Sequence, residues 1–232
     1  MNILDLLFPR RCLGCGKVGQ YFCVMCRKKI RPIHESETIC PVCEKPAMGG
    51  STHPRCKTRD SIDGLTSFFH YDSSIKKAIK LLKYRFVRDV AGEFVSLIPK
   101  EAFEALSEST SRYRNSLIVP IPLHPSRLHF RGFNQAELLA GLIAERIHIP
   151  VEARCMKRIR RTTPQVEMKD RNERMKNMSG VFSFQKLPTM NHTLCAIILF
   201  DDVFTTGATM RSAATTLKVA GFPFVWGVTM AR

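Results

Sequence analysis

Long apolar runs are missing from this 232-residue sequence. None approaches the roughly 18 consecutive apolar residues that a membrane span requires, so no membrane-spanning helix is expected. The opening stretch MNILDLLFPRR carries Asp5 inside its short apolar run and its arginines after it. That order is the reverse of a secretory signal, and a cytoplasmic location is expected. Acidic side chains are also scarce, with 20 Asp and Glu against 36 Lys and Arg, for a formal net charge of +16. Such an excess biases encounters toward polyanions such as phosphates and nucleic acid, although a basic surface also serves solubility alone. Low-complexity tracts are absent, and no repeat shows beyond a set of cysteine pairs.

Large aliphatic side chains are few between Leu7 and about residue 60, so this stretch cannot build a core of its own. It holds seven of the nine cysteines, spaced C-x2-C-x7-C-x2-C and then C-x2-C-x9-H-x2-C. In a reducing compartment such pairs read as metal knuckles rather than disulfides. Thiolate and imidazole suit tetrahedral zinc, and two complete ligand sets can be drawn: Cys12, Cys15, Cys23 and Cys26, then Cys40, Cys43, His53 and Cys56. The spacing equally allows a single zinc, or ligands exchanged between the pairs. His34 lacks the spacing and is expected at the surface, while Cys155 and Cys195 read as packing residues.

From Ile62 onward the pattern changes. LTSFFHYD has strand character, and Ile75, Ala78, Ile79 and Leu82 follow the spacing of a helix face, capped by Ser73 or Ser74. SLIVPIP reads as a strand and NQAELLAGLIAERI as a helix. CAIILF suits a strand covered on both faces, ATMRSAATTLKVAG is a helix ending at Gly221, and FVWGVTMA, with Trp226 in the core, is a last strand. Alternating strands and helices predict an α/β fold with a mostly parallel sheet flanked by helices over residues 61–232, preceded by a small zinc-binding domain over 1–60. The charged stretch 155–184 breaks the rhythm and reads as a flexible functional loop around 155–180.

The stretch FDDVFTTGAT, residues 200–209, carries the chemistry. In open parallel sheets ligands bind beyond the carboxyl ends of the strands, where the next helix aims its backbone amides at them. Gly207 permits a tight turn, Thr205, Thr206 and Thr209 offer hydroxyls, and the helix starting near Ala208 adds its dipole, which together suit one phosphate. No lysine follows the glycine, so the loop is not a nucleoside-triphosphate P-loop of the Walker type. Asp201 and Asp202 would repel a phosphate at close range, and their natural partners are hydroxyl groups. A ligand carrying hydroxyls near a phosphate is a ribose 5-phosphate.

IILFDDVFTTGAT resembles the thirteen-residue signature of type I phosphoribosyltransferases. The resemblance implies that Asp201 and Asp202 hold the ribose hydroxyls of phosphoribosyl pyrophosphate (PRPP) and that Thr205, Thr206, Gly207, Ala208 and Thr209 hold its 5-phosphate. VPIPLHPSRLHFRGFNQAELLA, LKYRF, RTTPQ, VWGVTMAR and the cysteine-rich start together resemble the ComF family of competence-associated proteins over essentially the whole chain. That resemblance places a pyrophosphate loop near Ile121, Pro122, Leu123, His124 and Ser126, with Arg127, Arg131 and Asn134 following as groups suited to phosphate oxygens. It also places a closing lid at KRIRRTTPQ, with Arg160, Arg161, Thr163 and Gln165 as substrate contacts and Arg171 and Asn177 behind them. The same lid contains Lys157, Arg158, Arg160 and Arg161, four cations in five residues, which reads alternatively as a patch for single-stranded DNA. The resemblance implies a magnesium-dependent transferase in which a nitrogenous base displaces pyrophosphate, associated with natural competence or DNA uptake and use, with a competence helicase among its partners. The alternative is a non-catalytic module of the competence machinery that senses PRPP or binds single-stranded DNA, which the net charge and the zinc segment suit.

Overall fold

The computed structural model describes residues 9–84, 88–110, 115–161, 180–187 and 195–232. Its centre is a four-stranded parallel sheet of β1 (Gly64–Phe69), β2 (Asn115–Pro120), β5 (Cys195–Val203) and β6 (Phe224–Ala231), in the spatial order β1-β6-β5-β2. A separate antiparallel hairpin pairs β3 (Met156–Arg158) with β4 (Phe182–Phe184). The helices around the sheet are α1 (Ser73–Tyr84), α2 (Arg88–Val95), α3 (Lys100–Thr110), α4 (Pro125–Arg131), α5 (Gln135–Ile147) and α6 (Ala208–Val219); the cysteine-rich segment adds a single helical turn at Val24–Arg27. The α/β architecture with a mostly parallel sheet is therefore the one the sequence predicts.

Side chains alternate between the two faces of a strand, and β5 makes this visible. Ile198 and Phe200 enter one core cluster with Phe68, Ile75, Leu82, Phe94 and Leu139, under α1, α2 and α5. Ile197 and Leu199 enter the other, with Met210, Leu217, Phe182 and Phe222, under α6 and the hairpin. This double burial explains why CAIILF is apolar without interruption. Cys155 and Trp226 are buried as expected.

The cap of α1 differs from the sequence reading. Asp72, one residue ahead of the serines, accepts the backbone N–H groups of Ser74 and Ile75, both at 2.9 Å. A carboxylate satisfies two orphan amides and complements the helix dipole, which a serine hydroxyl does less well. α5 is capped by Asn134, whose side chain accepts from Ala136 N at 3.1 Å.

The cysteine-rich segment is seated on the α/β core. Phe22 is fully buried and stacks on Phe94 of α2 at 6.0 Å, while Glu93 accepts the backbone N–H groups of Tyr21 and Phe22 at 3.0 and 3.2 Å. Further along, Ile33 N donates to Phe68 O and Thr52 N to Asp63 O, both at 2.9 Å, so the segment is stitched along β1 as well. Asp63 is itself buried, bonded to Lys218 of α6 at 2.6 Å and to Val225 N at 2.9 Å.

Candidate functional site

The cysteine pairs turn out to be a structural repeat. Cys12 N donates to Lys17 O and Gly16 N to Cys12 O, both at 2.8 Å; Cys40 N donates to Lys45 O at 2.9 Å and Glu44 N to Cys40 O at 2.8 Å. Arg11 bridges Val18 just as Ile39 bridges Pro46. Each knuckle turns through a left-handed residue after its second cysteine, Gly16 at φ 79° and Glu44 at φ 61°. Gly14 must be a glycine, because a Cβ there would stand 2.6 Å from Cys26 Sγ.

Each knuckle gathers one complete ligand set: the ligand atoms of Cys12, Cys15, Cys23 and Cys26 lie within 4.8 Å of one another, as do those of Cys40, Cys43, His53 and Cys56. A tetrahedral zinc with Zn–S near 2.3 Å places its sulfurs about 3.8 Å apart, and Cys15 Sγ stands 3.7 Å from Cys23 Sγ. Backbone amides point at the sulfurs in both sites, Cys23 N to Cys12 Sγ and His53 N to Cys40 Sγ, each at 3.4 Å. His53 presents Nδ1 to Cys43 Sγ at 3.3 Å while its Nε2 meets the Pro46 carbonyl at 3.0 Å, the outer hydrogen bond that fixes a ligating imidazole. Burial raises the Cys12 thiol, but the backbone N–H groups of Cys23, Cys15 and Gly14 outweigh this and draw it down to about 6. Hydrogen bonding to Cys23 and Cys12 pushes the Cys26 thiol up to about 12, because thiolates this close keep one another protonated unless a cation joins them. These are two structural zinc sites, each with four protein ligands.

At the carboxyl end of the sheet, β5 runs on through both aspartates, with Asp201 paired to Thr229 and Val203 to Ala231. The carboxylates therefore belong to the strand and do not lie beyond it. Asp202 shares the α1/α5 side with Phe200. It is buried, and its Oδ2 meets Lys83 Nζ of α1 at 2.7 Å and Gln135 Nε2 of α5 at 3.3 Å. Asp201 shares the opposite side with Leu199, and its Oδ1 accepts from Asp202 N at 2.8 Å. Burial, then the neighbouring Asp202 charge, lift the Asp201 carboxyl to about 7 against the pull of Lys83 and Arg158. Burial lowers Lys83, but Asp202 more than compensates and holds it above the usual lysine range.

The loop after β5 turns at Phe204, whose N donates to Ala231 O at 2.9 Å, and reaches Gly207 at φ 71°, immediately ahead of α6. A Cβ on Gly207 would strike the Phe204 ring at 2.7 Å. Thr205 is exposed, Thr206 and Thr209 are half-buried, and Gly207 and Ala208 are buried. Thr206 Oγ1 is buried with no hydrogen-bond partner among the described residues.

Ile121, Pro122, Leu123 and His124 follow β2, which runs beside β5. Ile121 N donates to Phe200 O at 2.8 Å, and its carbonyl accepts from Asn134 Nδ2 at 3.0 Å. His124 caps α4, its Nδ1 accepting from Ser126 N at 3.3 Å. The next residues bring cations inward: Arg131 Nη1 donates to Gln135 Oε1 at 3.0 Å, and Arg127 lies close enough to Arg158 to lower it, after burial, from the usual arginine range. Arg158 packs its guanidinium over Phe182 at 5.6 Å and faces Asp201. Lys157, Arg160 and Arg161 are exposed, so the run of basic residues is divided between solvent and site. Thr163, Gln165, Arg171 and Asn177 lie outside the described residues.

Lys83, Gln135 and Arg158 are the site groups that sequence reasoning did not assign to the ligand end of the sheet. Lys83 stands in LKYRF, and its polarity at the end of an otherwise apolar helix face is the one local signal it gives.

Comparison with known proteins agrees with the zinc sites and supplies relatives for the whole chain. The double zinc ribbon domain matches residues 3–57. Competence protein ComFC of Bacillus subtilis is 30% identical over 223 residues, covering 91% of this chain and 83% of that protein. Competence protein F of Haemophilus influenzae is 27% identical over 97% of this chain and 98% of its own length. DNA utilization protein YhgH of Escherichia coli is 27% identical, with 87% and 85% covered. Among the described residues, no helix is long and apolar enough to cross a membrane.

Proposed function

The chain belongs to the ComF family, and from that premise we propose that it binds PRPP with magnesium and transfers the ribosyl phosphate to a nitrogenous base, in the service of DNA uptake or use. The observation that carries the reading is the pairing of a carboxylate with a glycine-turned threonine loop at the carboxyl end of a parallel strand, with the buried Thr206 hydroxyl at its centre. Asp201 accepts a ribose hydroxyl, the 205–209 loop and the start of α6 receive the 5-phosphate, and residues 121–124 with Arg127 and Arg131 line the pyrophosphate side. A magnesium ion bound with PRPP would neutralise part of the pyrophosphate charge on the side lined by residues 121–124. As the bond from the anomeric carbon to the pyrophosphate oxygen lengthens, positive charge develops on the ribose ring. Catalysis then rests on positioning and on charge stabilisation rather than on a covalent protein intermediate. The relatives' names, competence protein and DNA utilization protein, support the DNA-related role and partners in the DNA-uptake machinery. The thiol-rich zinc sites support a cytoplasmic, reducing location.

A second reading is a non-catalytic module that senses PRPP or holds single-stranded DNA. It is favoured by the exposure of Lys157, Arg160 and Arg161 together with the net charge of +16. Calorimetry with PRPP and magnesium, followed by a pyrophosphate-release assay over a panel of bases, separates the two. Release with any base establishes the transferase, and binding without release for every base establishes the module.

A further inference from the structure

The two aspartates are neighbours in sequence but occupy opposite sides of the sheet. Strand alternation sends Asp202 in among α1 and α5, alongside Phe200, and Asp201 toward the hairpin and α6, alongside Leu199. Their partners differ accordingly. Asp202 keeps 8% side-chain exposure, and its Oδ2 is taken by Lys83 at 2.7 Å and Gln135 at 3.3 Å. Gln135 is itself oriented by Arg131, which donates to its Oε1 at 3.0 Å. A continuous chain Arg131–Gln135–Asp202–Lys83 thus joins α4, α5, β5 and α1.

We infer that Lys83 is a positioning residue: its ion pair fastens Asp202 to α1 and thereby leaves Asp201 as the carboxylate that meets a ligand hydroxyl. The inference rests on the ribosyl-phosphate reading for its second half only, since the fastening of Asp202 concerns the protein alone. A symmetric acidic pair would offer two equivalent acceptors. Here one carboxylate is buried with its Oδ2 held by a lysine and an amide, while the other is half-buried among ligand-end groups.

The charged groups that act on the pair are Lys83 from α1, Arg158 from β3 and each aspartate on the other, with Arg131 of α4 acting in turn on Lys83 and Arg127 of α4 on Arg158. Lys83, in contact with Asp202, is the nearer of the two cations, with Arg158, that favour ionisation of Asp201 beside it. Without it the second proton leaves at higher pH, because two carboxylates would then share the site with less compensation.

The test begins with ligand-free protein, following aspartate side-chain carboxyl carbons by NMR across pH, with signals assigned by their loss in Asp201→Asn and Asp202→Asn. Lys83→Met is expected to raise the upper midpoint of the pair by about 1–3 pH units, and Lys83→Arg to restore it. An unmoved midpoint in a Lys83→Met protein with native circular dichroism overturns the fastening role. Calorimetry with PRPP and magnesium then reads the division of labour. Asp201→Asn should lower affinity about 10- to 100-fold, from the loss of a charged acceptor, and Asp202→Asn clearly less. Equal losses, or a larger loss for Asp202→Asn, overturn the assignment of Asp201. Failure of the unaltered protein to bind PRPP overturns the ribosyl-phosphate reading and the ligand role of Asp201 with it, while the NMR arm still decides the role of Lys83.

Discussion

Pro41, inside the second zinc knuckle, holds its carbonyl oxygen 3.7 Å from the position a Cβ on Gly207 would take, so the zinc ribbon borders the candidate phosphate loop. The two zinc sites consequently stand in different relations to the ligand end. The first is seated on α2 through Phe22 and Glu93, and the second flanks residues 204–207.

Protein prepared without chelator is expected to contain two zinc ions per chain, and His53→Ala to contain one. Because metal binding at such sites is folding free energy, chelation should unfold the ribbon segment and expose Phe22. Loss of the second site alone, through Cys43→Ser, should also weaken PRPP binding, because Pro41 borders Gly207, more than Cys15→Ser does at the first. Metal analysis, melting curves and calorimetry on the two variants read this out. Equal affinity in both would separate the ribbon from the loop.

Gly207→Ala should damage the loop on two counts. A left-handed backbone costs a residue with a Cβ about 1–2 kcal/mol, and the new methyl would stand 2.7 Å from the Phe204 ring. Lower thermal stability accompanied by a loss of PRPP affinity is the expected result, read by melting and calorimetry.

Asp202→Asn should cost more stability than Asp201→Asn. It leaves Lys83 facing a neutral amide at a site where the carboxylate is buried, and a hydrogen bond to a charged group contributes about 1.5–3 kcal/mol. The midpoint of urea unfolding measures this at neutral pH. Comparable midpoints for the two variants would show that the ion pair contributes nothing net.

Asp201 should make stability depend on pH. Its folded-state carboxyl lies near 7, above the unfolded value, so the folded state binds the extra proton between about pH 4 and 7. The resulting stability is fully present below about pH 4 and is lost as pH rises through 7. Asp201→Asn removes that dependence, so its melting temperature relative to the unaltered protein should climb from pH 5 to pH 8. A constant difference across that range would contradict the raised carboxyl.

Much of the fold was legible because its signals are local and periodic. Ile75, Ala78, Ile79 and Leu82 mark one helix face, and CAIILF can only be a strand buried on both sides. The cysteine and histidine spacing gave all eight zinc ligands, because a knuckle is closed by residues only a few positions apart. The FDDVFTTGAT stretch likewise announced a turn, a helix start and two carboxylates in one place, since each follows from residues adjacent in the chain.

What the sequence by itself determined is therefore the four strands of the parallel sheet, the helices α1, α5 and α6 and the zinc ligands, whereas α2, α3, α4 and the β3–β4 hairpin, whose strands fall in the stretch 155–184 read as a loop, show only in the structure. Tertiary structure alone decided how knuckle pairs divide into two sites, which side of β5 each aspartate faces, and that Lys83, Gln135 and Arg158 reach them from elements far away in sequence. Ion pairs and ligand-end cations carry no periodicity, and their partners are chosen by how helices pack across the sheet. The asymmetry of Asp201 and Asp202 thus arises from a strand's alternation meeting two differently populated layers.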